Sequence, residues 1–333
     1  MSANTSNANA GDTALNLFTA GFYNSLVTSL NLDPKTFQLM QGAFPVPLTA
    51  TALYNVLDSV PPASVTNFYT PSKLNSLSGN IGNLIGYGTA TEQASFQSKQ
   101  ANSAYMNVAN WLPTTPNGPV YAGENPIYNP TMLAIQAALK SGSTQSFTFD
   151  STSADTSLAQ AWSQSASSAG VGFWGTNSDS NSQQCNTMAE SSSVTVTMTI
   201  TYAMVPVQAG AFFFDPYFLQ MYQNVGSWAG GQAQWDTLFG PNGSLLYMNT
   251  QALIVTNYHY TVTSNASYSA SQYQSLQSNK SVNVWPFYTS SDSSSSSSIA
   301  TQNSNGSITT TVRSHPGAVQ IMGFDVSSVA SLV

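Results

Sequence analysis

The chain has 333 residues, and only six Lys and Arg and thirteen Asp and Glu carry formal charge, which is 6% of the sequence. Soluble domains average about 25%. The basic residues are scattered and include a single arginine, Arg313, so the electrostatic footprint that phosphate binding needs is missing. Composition therefore argues against a nucleic-acid partner and against an electrostatic anchor to anionic lipid.

Two further features restrict the class of protein. The longest nearly apolar run, residues 203–214, is shorter than the roughly 20 residues that a membrane-spanning helix needs. Residues 1–12 show neither the basic stretch nor the apolar stretch of a secretory signal and are predicted to form a flexible tail. The 16 Phe, 16 Tyr and 6 Trp exclude a wholly disordered chain, because such chains lack aromatic residues.

Residues 13–143 are predicted to be helical and rich in loops. Apolar residues spaced by three and four positions predict the first helix: Leu15, Phe18, Phe22, Leu26 and Leu30. The Asp33-Pro34 pair should end it and start a second helix through Phe37 and Met40. Further helices are predicted over 49–57, 91–112 and 131–139, and the Pro- and Gly-rich stretch between the last two is predicted to be a surface loop.

From residue 144 onward, β-branched and aromatic residues alternate with polar ones, which predicts strands. The predicted strands cover 147–149, 193–202, 252–263, 307–312 and 318–326. Serine-rich stretches separate them, and the run from Ser290 to Ser298 is predicted to be solvated and flexible. The single cysteine, Cys185, falls in one such polar stretch, predicted to be a loop. The Cys185 thiol is interpreted either as an incidental thiol or as a nucleophile.

The second half of the chain resembles itself when shifted by 111 residues. The shift superposes aromatic and apolar pairs, among them Phe147 on Tyr258 and Trp174 on Trp285, and beyond the serine-rich loop it becomes 114, with Val194 on Ile308. We therefore predict an internal duplication with units at about 147–210 and 258–324. Each unit should run strand, polar helix, strand, serine-rich loop, strand, turn, strand. Chance similarity of serine-rich sequence is the alternative.

The segment 211–247 between the units is the most aromatic part of the chain. It is predicted to pack across both units, with an aromatic binding groove as the alternative. The predicted fold class is thus α+β: a tail (1–12), a helical region (13–143) and a duplicated β-rich body (144–333).

Catalytic patterns are weak in this sequence. A hydrolytic triad needs a histidine base, and only His259 and His315 are present, neither beside a GxSxG motif. Paired carboxylates for glycoside hydrolysis could come from Glu124, Asp150 and Asp155, although each acid also has a solvation role. Metal-ligand and phosphate-loop motifs are missing, so the sequence predicts no catalytic residue, cofactor or metal.

Two sets of side chains are candidates for contact with a partner. The first is a strand that alternates threonines with Val194, Val196, Met198 and Ile200. Its threonines at 195, 197, 199 and 201 form a hydroxyl row; ice-binding surfaces use many stacked rows, whereas one row is ordinary half-exposed strand. The second set is aromatic: Trp111, Tyr121, Trp174 and Trp285.

Three classes of function fit these features. Few charges and a pI of about 4.4 favour a self-assembling structural or interaction protein with a neutral surface rich in hydroxyls and amides. Alternating, charge-free strands also occur in β-hairpin pore-forming toxins, which would contact a membrane. Aromatic residues in predicted loops are compatible with a third class, a secreted carboxylate-dependent glycosidase or a glycan-binding module. The first class is our leading hypothesis, with self-association as the expected partnership and an extracellular or surface location.

Overall fold

The computed structural model describes residues 20–46, 50–64, 69–71, 75–77, 80, 130, 132–152, 171–176, 180–207, 231–278 and 296–329. These residues form a mixed α and β structure with one antiparallel sheet of seven strands, a two-stranded hairpin and six helices. The helices are α1 (20–30), α2 (Ala50–Leu57), α3 (Met132–Lys140), α4 (Ser180–Glu190), α5 (Gly231–Phe239) and α6 (Ala270–Ser278).

The strands of the large sheet are β1 (Phe37–Pro45), β2 (Ser143–Asp150), β5 (Val194–Pro206), β6 (Tyr247–Ser264), β7 (Ser296–Gln302), β8 (Ile308–Ser314) and β9 (Val319–Ser328). The hairpin consists of β3 (Val171–Gly172) and β4 (Gly175–Thr176). The sheet order is β1-β9-β6-β5-β2, and β8 pairs with both β6 and β7. The 18-residue strand β6 is the central strand of the sheet, because β6 pairs with β5 along one edge and with β9 and then β8 along the other.

Two hydrophobic cores lie on opposite faces of this sheet, because side chains alternate between faces along each strand. The first core is built on alternate residues of β5 and β6, and α1 and the hairpin pack there. The second core lies at the β1 and β9 end and includes side chains of α2, α3 and α5. A bulge separates the two halves of β6 at Asn257, which has a positive φ of 48°.

A buried polar cluster sits inside the first core. Trp174, at the tip of the β3–β4 hairpin, donates its indole N–H to the Tyr268 hydroxyl at 3.0 Å. The same hydroxyl shares a hydrogen bond of 2.7 Å with the Ser264 hydroxyl. Burial raises the pKa of Tyr268 to about 12, because the ionised phenolate would be poorly solvated there. The cluster therefore ties the hairpin to the end of β6.

Most of the predicted elements with described residues are confirmed. The first helix is present over 20–30, the helices predicted at 49–57 and 131–139 correspond to α2 and α3, and the five predicted strands correspond to β2, β5, β6, β8 and β9. The predicted helix at 91–112 and the Pro- and Gly-rich loop after it lie outside the described residues.

Three predictions are wrong, and a fourth is wrong in part. Phe37 and Met40 lie in strand β1, not in a second helix; Phe37 and Leu39 are buried in the first core and Met40 in the second, so the period is two. The serine-rich stretch around Cys185 is helix α4 and not a loop. The buried side of α4 consists of the small or polar residues Cys185, Asn186 and Ala189, so no periodic pattern of large apolar residues indicates the helix.

The third error concerns the strand pair at the end of the first unit. The turn predicted there does not form, and β5 runs without a break from Val194 to Pro206. At a shift of 114, Pro316 and Gly317 correspond to Tyr202 and Ala203. Gly317 has a φ of 78°, which a residue with a side chain rarely adopts, so the turn forms at 316–317 and not at the predicted equivalent 202–203.

The serine run at 290–298 also differs from its prediction at its end. Residues 296–298 begin strand β7, and Ser296 is buried. Pairing with β8 orders them, because the backbone bonds of a strand do not require apolar side chains. Residues 290–295 lie outside the described part of the chain.

Candidate functional site: a hydroxyl-lined face of the sheet

The face of the sheet opposite the first core is lined with hydroxyl side chains where the second core does not reach. We call this surface the hydroxyl face. Strand register places its residues side by side on five neighbouring strands, β2, β5, β6, β8 and β7. Its members are Thr144, Ser146, Thr148, Thr195, Thr197, Thr199, Thr201, Thr261, Thr263, Thr309, Thr311, Ser297 and Thr301, and each of them is exposed or half-buried.

The residues form rows that cross the strands. The central row runs from Thr148 through Thr197 and Thr261 to Thr311 and ends at Ile299 on β7. A second row runs from Asp150 through Thr195, Thr263 and Thr309 to Thr301. On each strand, its member lies two residues from the member of the central row. Neighbouring strands lie about 4.8 Å apart and alternate residues about 6.7 Å apart, so the hydroxyls form a two-dimensional array.

The hydroxyls hydrogen-bond to one another at alternate strand boundaries. Across β2 and β5 the oxygen–oxygen distances are 3.0 Å for Thr144 and Thr201, 2.7 Å for Ser146 and Thr199, and 3.2 Å for Thr148 and Thr197. Across β6 and β8 the hydroxyls of Thr263 and Thr309 are 3.0 Å apart.

The antiparallel ladder explains this alternation. Ser151 N–H donates to the Val194 carbonyl, and Asn265 N–H donates to the Ser193 carbonyl, which fixes the pairs that exchange backbone bonds. On the hydroxyl face, the β2–β5 and β6–β8 pairs then occupy the non-hydrogen-bonded positions, where opposing side chains are closest. The β5–β6 pairs occupy the wider positions. The array is therefore positioned by the backbone rather than by chance rotamers.

Among the described residues, the charged and titratable groups of the hydroxyl face lie in the two rows that flank its central row. Asp150, at the end of β2, accepts hydrogen bonds from the Thr152 hydroxyl at 2.6 Å, the Thr152 N–H at 2.8 Å and the Thr195 hydroxyl at 2.9 Å. These bonds, led by that of the Thr152 side chain, lower the pKa of the Asp150 carboxyl. Arg313 and His259 are opposite each other on β8 and β6, and both are exposed.

The hydroxyl face ends where the second core begins. Beyond the bulge at Asn257, Thr256 donates its hydroxyl to the Ala318 carbonyl at 2.7 Å rather than to a neighbouring threonine. Past it, on the same side of the sheet, Ile254, Ala252 and Val205 are buried in the second core. One side of the sheet is thus apolar and covered at one end and polar and solvated at the other.

The structure places the predicted contact residues elsewhere. Val194, Val196, Met198 and Ile200 are buried in the first core, on a strand with paired neighbours on both sides. Trp174 is 1% exposed and belongs to the polar cluster with Tyr268. A membrane or contact role for these residues stays a prediction.

Several other candidates lie outside the described residues: Trp111, Tyr121, Glu124, Asp155 and Trp285. Cys185 is fully buried on α4. His315 is half-buried in the turn after β8, where its carbonyl accepts the Ala318 N–H at 3.0 Å. The only charged or titratable candidates on the hydroxyl face among the described residues are therefore Asp150, His259 and Arg313.

Sequence reasoning identified one row of this surface and missed its breadth. The sequence predicts the line of threonines along β5, but it does not connect them with the threonines of β6 and β8. Their signal was present in the alternation of residues 258–263 and in the run of three threonines at 309–311. The strand order and register place these threonines on one surface, and neither can be deduced from the local sequence pattern.

No cluster of three or more histidine, cysteine, aspartate or glutamate side chains suited to a metal ion occurs among the residues that the structure describes. Within that same part of the chain, none of the helices has the length and hydropathy required to cross a bilayer. No protein-family model, curated protein or solved structure matches this chain.

Proposed function

We propose that this protein is a non-enzymatic structural subunit that assembles with copies of itself, and that the hydroxyl face is its contact surface. The observation that carries the proposal is the breadth of that face, which is five strands wide and whose central row contains no charged residue. A neutral hydroxyl surface can exchange water for hydrogen bonds with an identical surface without the large cost of desolvating charges.

Composition supports the same proposal. Charged residues make up 6% of the chain, so long-range repulsion between copies is weak for a protein of this size. The net charge is −7 at neutral pH and vanishes near the pI of about 4.4. Assembly should therefore strengthen as the pH falls toward that value, because |net charge| near zero promotes association. We propose an extracellular or surface location, where such a protein can meet acid.

The internal duplication remains part of the proposal. Phe147 lies opposite Met198 in the β2–β5 ladder, and Tyr260 lies opposite Val312 in the β6–β8 ladder. These two pairs superpose with shifts of 113 and 114 residues, close to the shifts of 111 and then 114 that the sequence comparison predicts. Both ladders then present hydroxyls on one face, and the duplication would have doubled the width of the contact surface.

Electron microscopy and sedimentation velocity of the purified protein, at neutral pH and near the pI, test the proposed function. We expect ordered assemblies such as filaments or lattices, more abundant near the pI. A variant carrying Thr197→Lys and Thr261→Lys places two charges in the centre of the hydroxyl face. It should raise the protein concentration needed for assembly by about tenfold or more, because buried like charges repel.

Thr187→Lys is the matched control, since Thr187 is exposed on α4 away from the hydroxyl face. It should assemble like the parent protein. Monomers at every pH and concentration would overturn the proposed function. Equal assembly of the double lysine variant and the control would show that the hydroxyl face is not the contact surface.

A further inference from the structure

Strand β7 is an edge strand whose own sequence lacks the charges and prolines that usually protect an edge. Among the described residues it pairs with β8 alone, and its sequence, SSSIATQ, contains neither charge nor proline. The other two edges differ: β1 ends in Pro45 and forms a bridge from Met40 to Tyr69, and β2 ends in Asp150. Natural sheets commonly block edge pairing with charges, prolines or bulges, so β7 is the edge best suited to accept another strand.

The ladder with β8 shows which backbone groups of β7 point outward. Asn303 N–H donates to the Ser307 carbonyl at 2.8 Å, which continues the ladder by one pair. Alternation then directs the N–H and C=O groups of Ser297, Ile299 and Thr301 toward β8, and those of Ser298 and Ala300 away from it. The Tyr273 hydroxyl donates to the Ala300 carbonyl at 2.9 Å, in agreement with this assignment. A carbonyl has two lone pairs, so Ala300 can accept a second bond.

Ile299 stands at the centre of this strand. It is 69% exposed, against 40% for Leu133, the other exposed large apolar side chain of the described residues. Ile299 ends the central row of the hydroxyl face, beside Thr311. An isoleucine at the middle of a neutral edge makes the edge self-complementary, because a twofold axis through this position would bring two such side chains together.

We propose that β7 of one copy pairs antiparallel with β7 of a second copy, around a twofold axis normal to the sheet at Ile299. Ser298 of each copy exchanges backbone hydrogen bonds with Ala300 of the other, and the two Ile299 side chains pack together. The contact joins the two sheets and makes their hydroxyl faces continuous. This inference rests on the proposed function, since it supplies one of the contacts by which copies would associate.

Charge does not oppose this arrangement. Among the described residues, the nearest cation is Arg313, which lies on β8 opposite Ser297. In the paired state the two Arg313 residues are three strand spacings apart laterally and four residues apart along the strands, about 20 Å in all. That separation exceeds the roughly 10 Å Debye length at moderate salt, so their repulsion is largely screened.

Disulfide trapping tests the register. In the proposed contact Ile299 faces its symmetry mate at a non-hydrogen-bonded position, where Cα atoms are about 4.5 Å apart and a disulfide can form. Ile299→Cys should therefore give covalent dimers on a non-reducing gel under mild oxidation. Ser298→Cys is the matched control, because that residue faces Ala300 of the other copy and not its own mate. The parent protein controls for Cys185, which is fully buried.

Ile299→Lys tests the energetics without a new thiol. It should weaken dimerisation, measured by sedimentation equilibrium, by about tenfold or more, because an apolar contact is lost and two charges meet. Leu133→Lys should leave the dissociation constant unchanged. Absence of Ile299→Cys dimers, together with parental association of Ile299→Lys, would overturn the β7 contact while leaving larger assemblies and the proposed function intact. A dimer trapped through position 299 that never grows further would keep this contact and overturn extended assembly.

Discussion

The two faces of β5 show how one strand serves two purposes. Val194, Val196, Met198 and Ile200 are almost completely buried in the first core, whereas the threonines between them are exposed or half-buried on the hydroxyl face. The inward set removes apolar surface from water, which is the main favourable contribution to folding. The outward set makes hydroxyl–hydroxyl bonds that compete with water and contribute little. The comparison teaches that residues of the hydroxyl face can be substituted while the fold persists.

Strand β8 repeats the comparison within three identical residues. Thr309 and Thr311 lie on the hydroxyl face, half-buried, while Thr310 between them faces inward and is fully buried. Thr309 shares a hydrogen bond with Thr263, but the Thr310 hydroxyl has no hydrogen-bond partner. The same side chain is therefore satisfied on one face and unsatisfied on the other.

The largest expected effect comes from breaking the inward face. Met198→Ala removes a fully buried side chain between Phe147 and Tyr260 and should lower the free energy of unfolding by about 2–5 kcal/mol. Thr197→Ala, one residue away on the hydroxyl face, should change it by less than about 0.5 kcal/mol. Denaturant unfolding of both variants checks the contrast, and equal losses would contradict the separation of the two faces.

A smaller effect is expected from the buried polar cluster. Tyr268→Phe deprives the Trp174 indole N–H and the Ser264 hydroxyl of their common partner. Leaving a buried donor unsatisfied costs about 1–3 kcal/mol, so unfolding should become easier by that amount. Tyr202→Phe is the control, since Tyr202 is half-buried outside this cluster.

Tyr268→Phe and Tyr202→Phe also test how the free energy of unfolding depends on pH. The pKa of Tyr268 rises to about 12 on folding, from an ordinary value near 10, so the unfolded chain loses this proton first. The stability that the neutral hydroxyl contributes is present below about pH 10 and is lost as the pH rises toward about 12. Tyr268→Phe should therefore lose less stability over that interval than the parent or Tyr202→Phe, measured by denaturant titrations at several pH values. An identical alkaline slope in all three proteins would contradict this assignment.

Periodicity predicted the fold where one period dominates. The alternation in β5, β6, β8 and β9 identified these strands, and the spacing of three and four identified α1. It failed where burial occurs on both sides, as at β1, and where the buried stripe is polar, as at Asn186 in α4. The side-chain oxygen of the buried Asn186 accepts a hydrogen bond from the backbone N–H of Trp174, a contact that no local pattern encodes.

The site was predictable only one strand at a time. Threonine alternation in β5 indicates a hydroxyl row, but the breadth of the surface depends on β6 lying between β5 and β8. Those pairings join residues that are far apart in sequence, such as Thr263 and Thr309 with a separation of 46, so local patterns do not specify them. The exposure of Ile299 at an edge likewise follows from β7 being last in its branch of the sheet.

The smallest expected effect is a gain. Thr310 is 0% exposed, lies between Val262 and Ala300 in the sheet, and has a hydroxyl that no hydrogen bond satisfies. Thr310→Val replaces that hydroxyl with a methyl group of similar size, which removes the desolvation cost and should raise the free energy of unfolding by about 1 kcal/mol. Thr311→Val, on the hydroxyl face beside Ile299, should leave stability within about 0.5 kcal/mol of the parent. Denaturant unfolding of the two single variants decides the matter, because a loss of stability in Thr310→Val would mean that its hydroxyl is bonded inside the core. A gain at Thr310 with no change at the adjacent Thr311 would show that the face on which a residue lies, rather than its type, determines what the residue contributes.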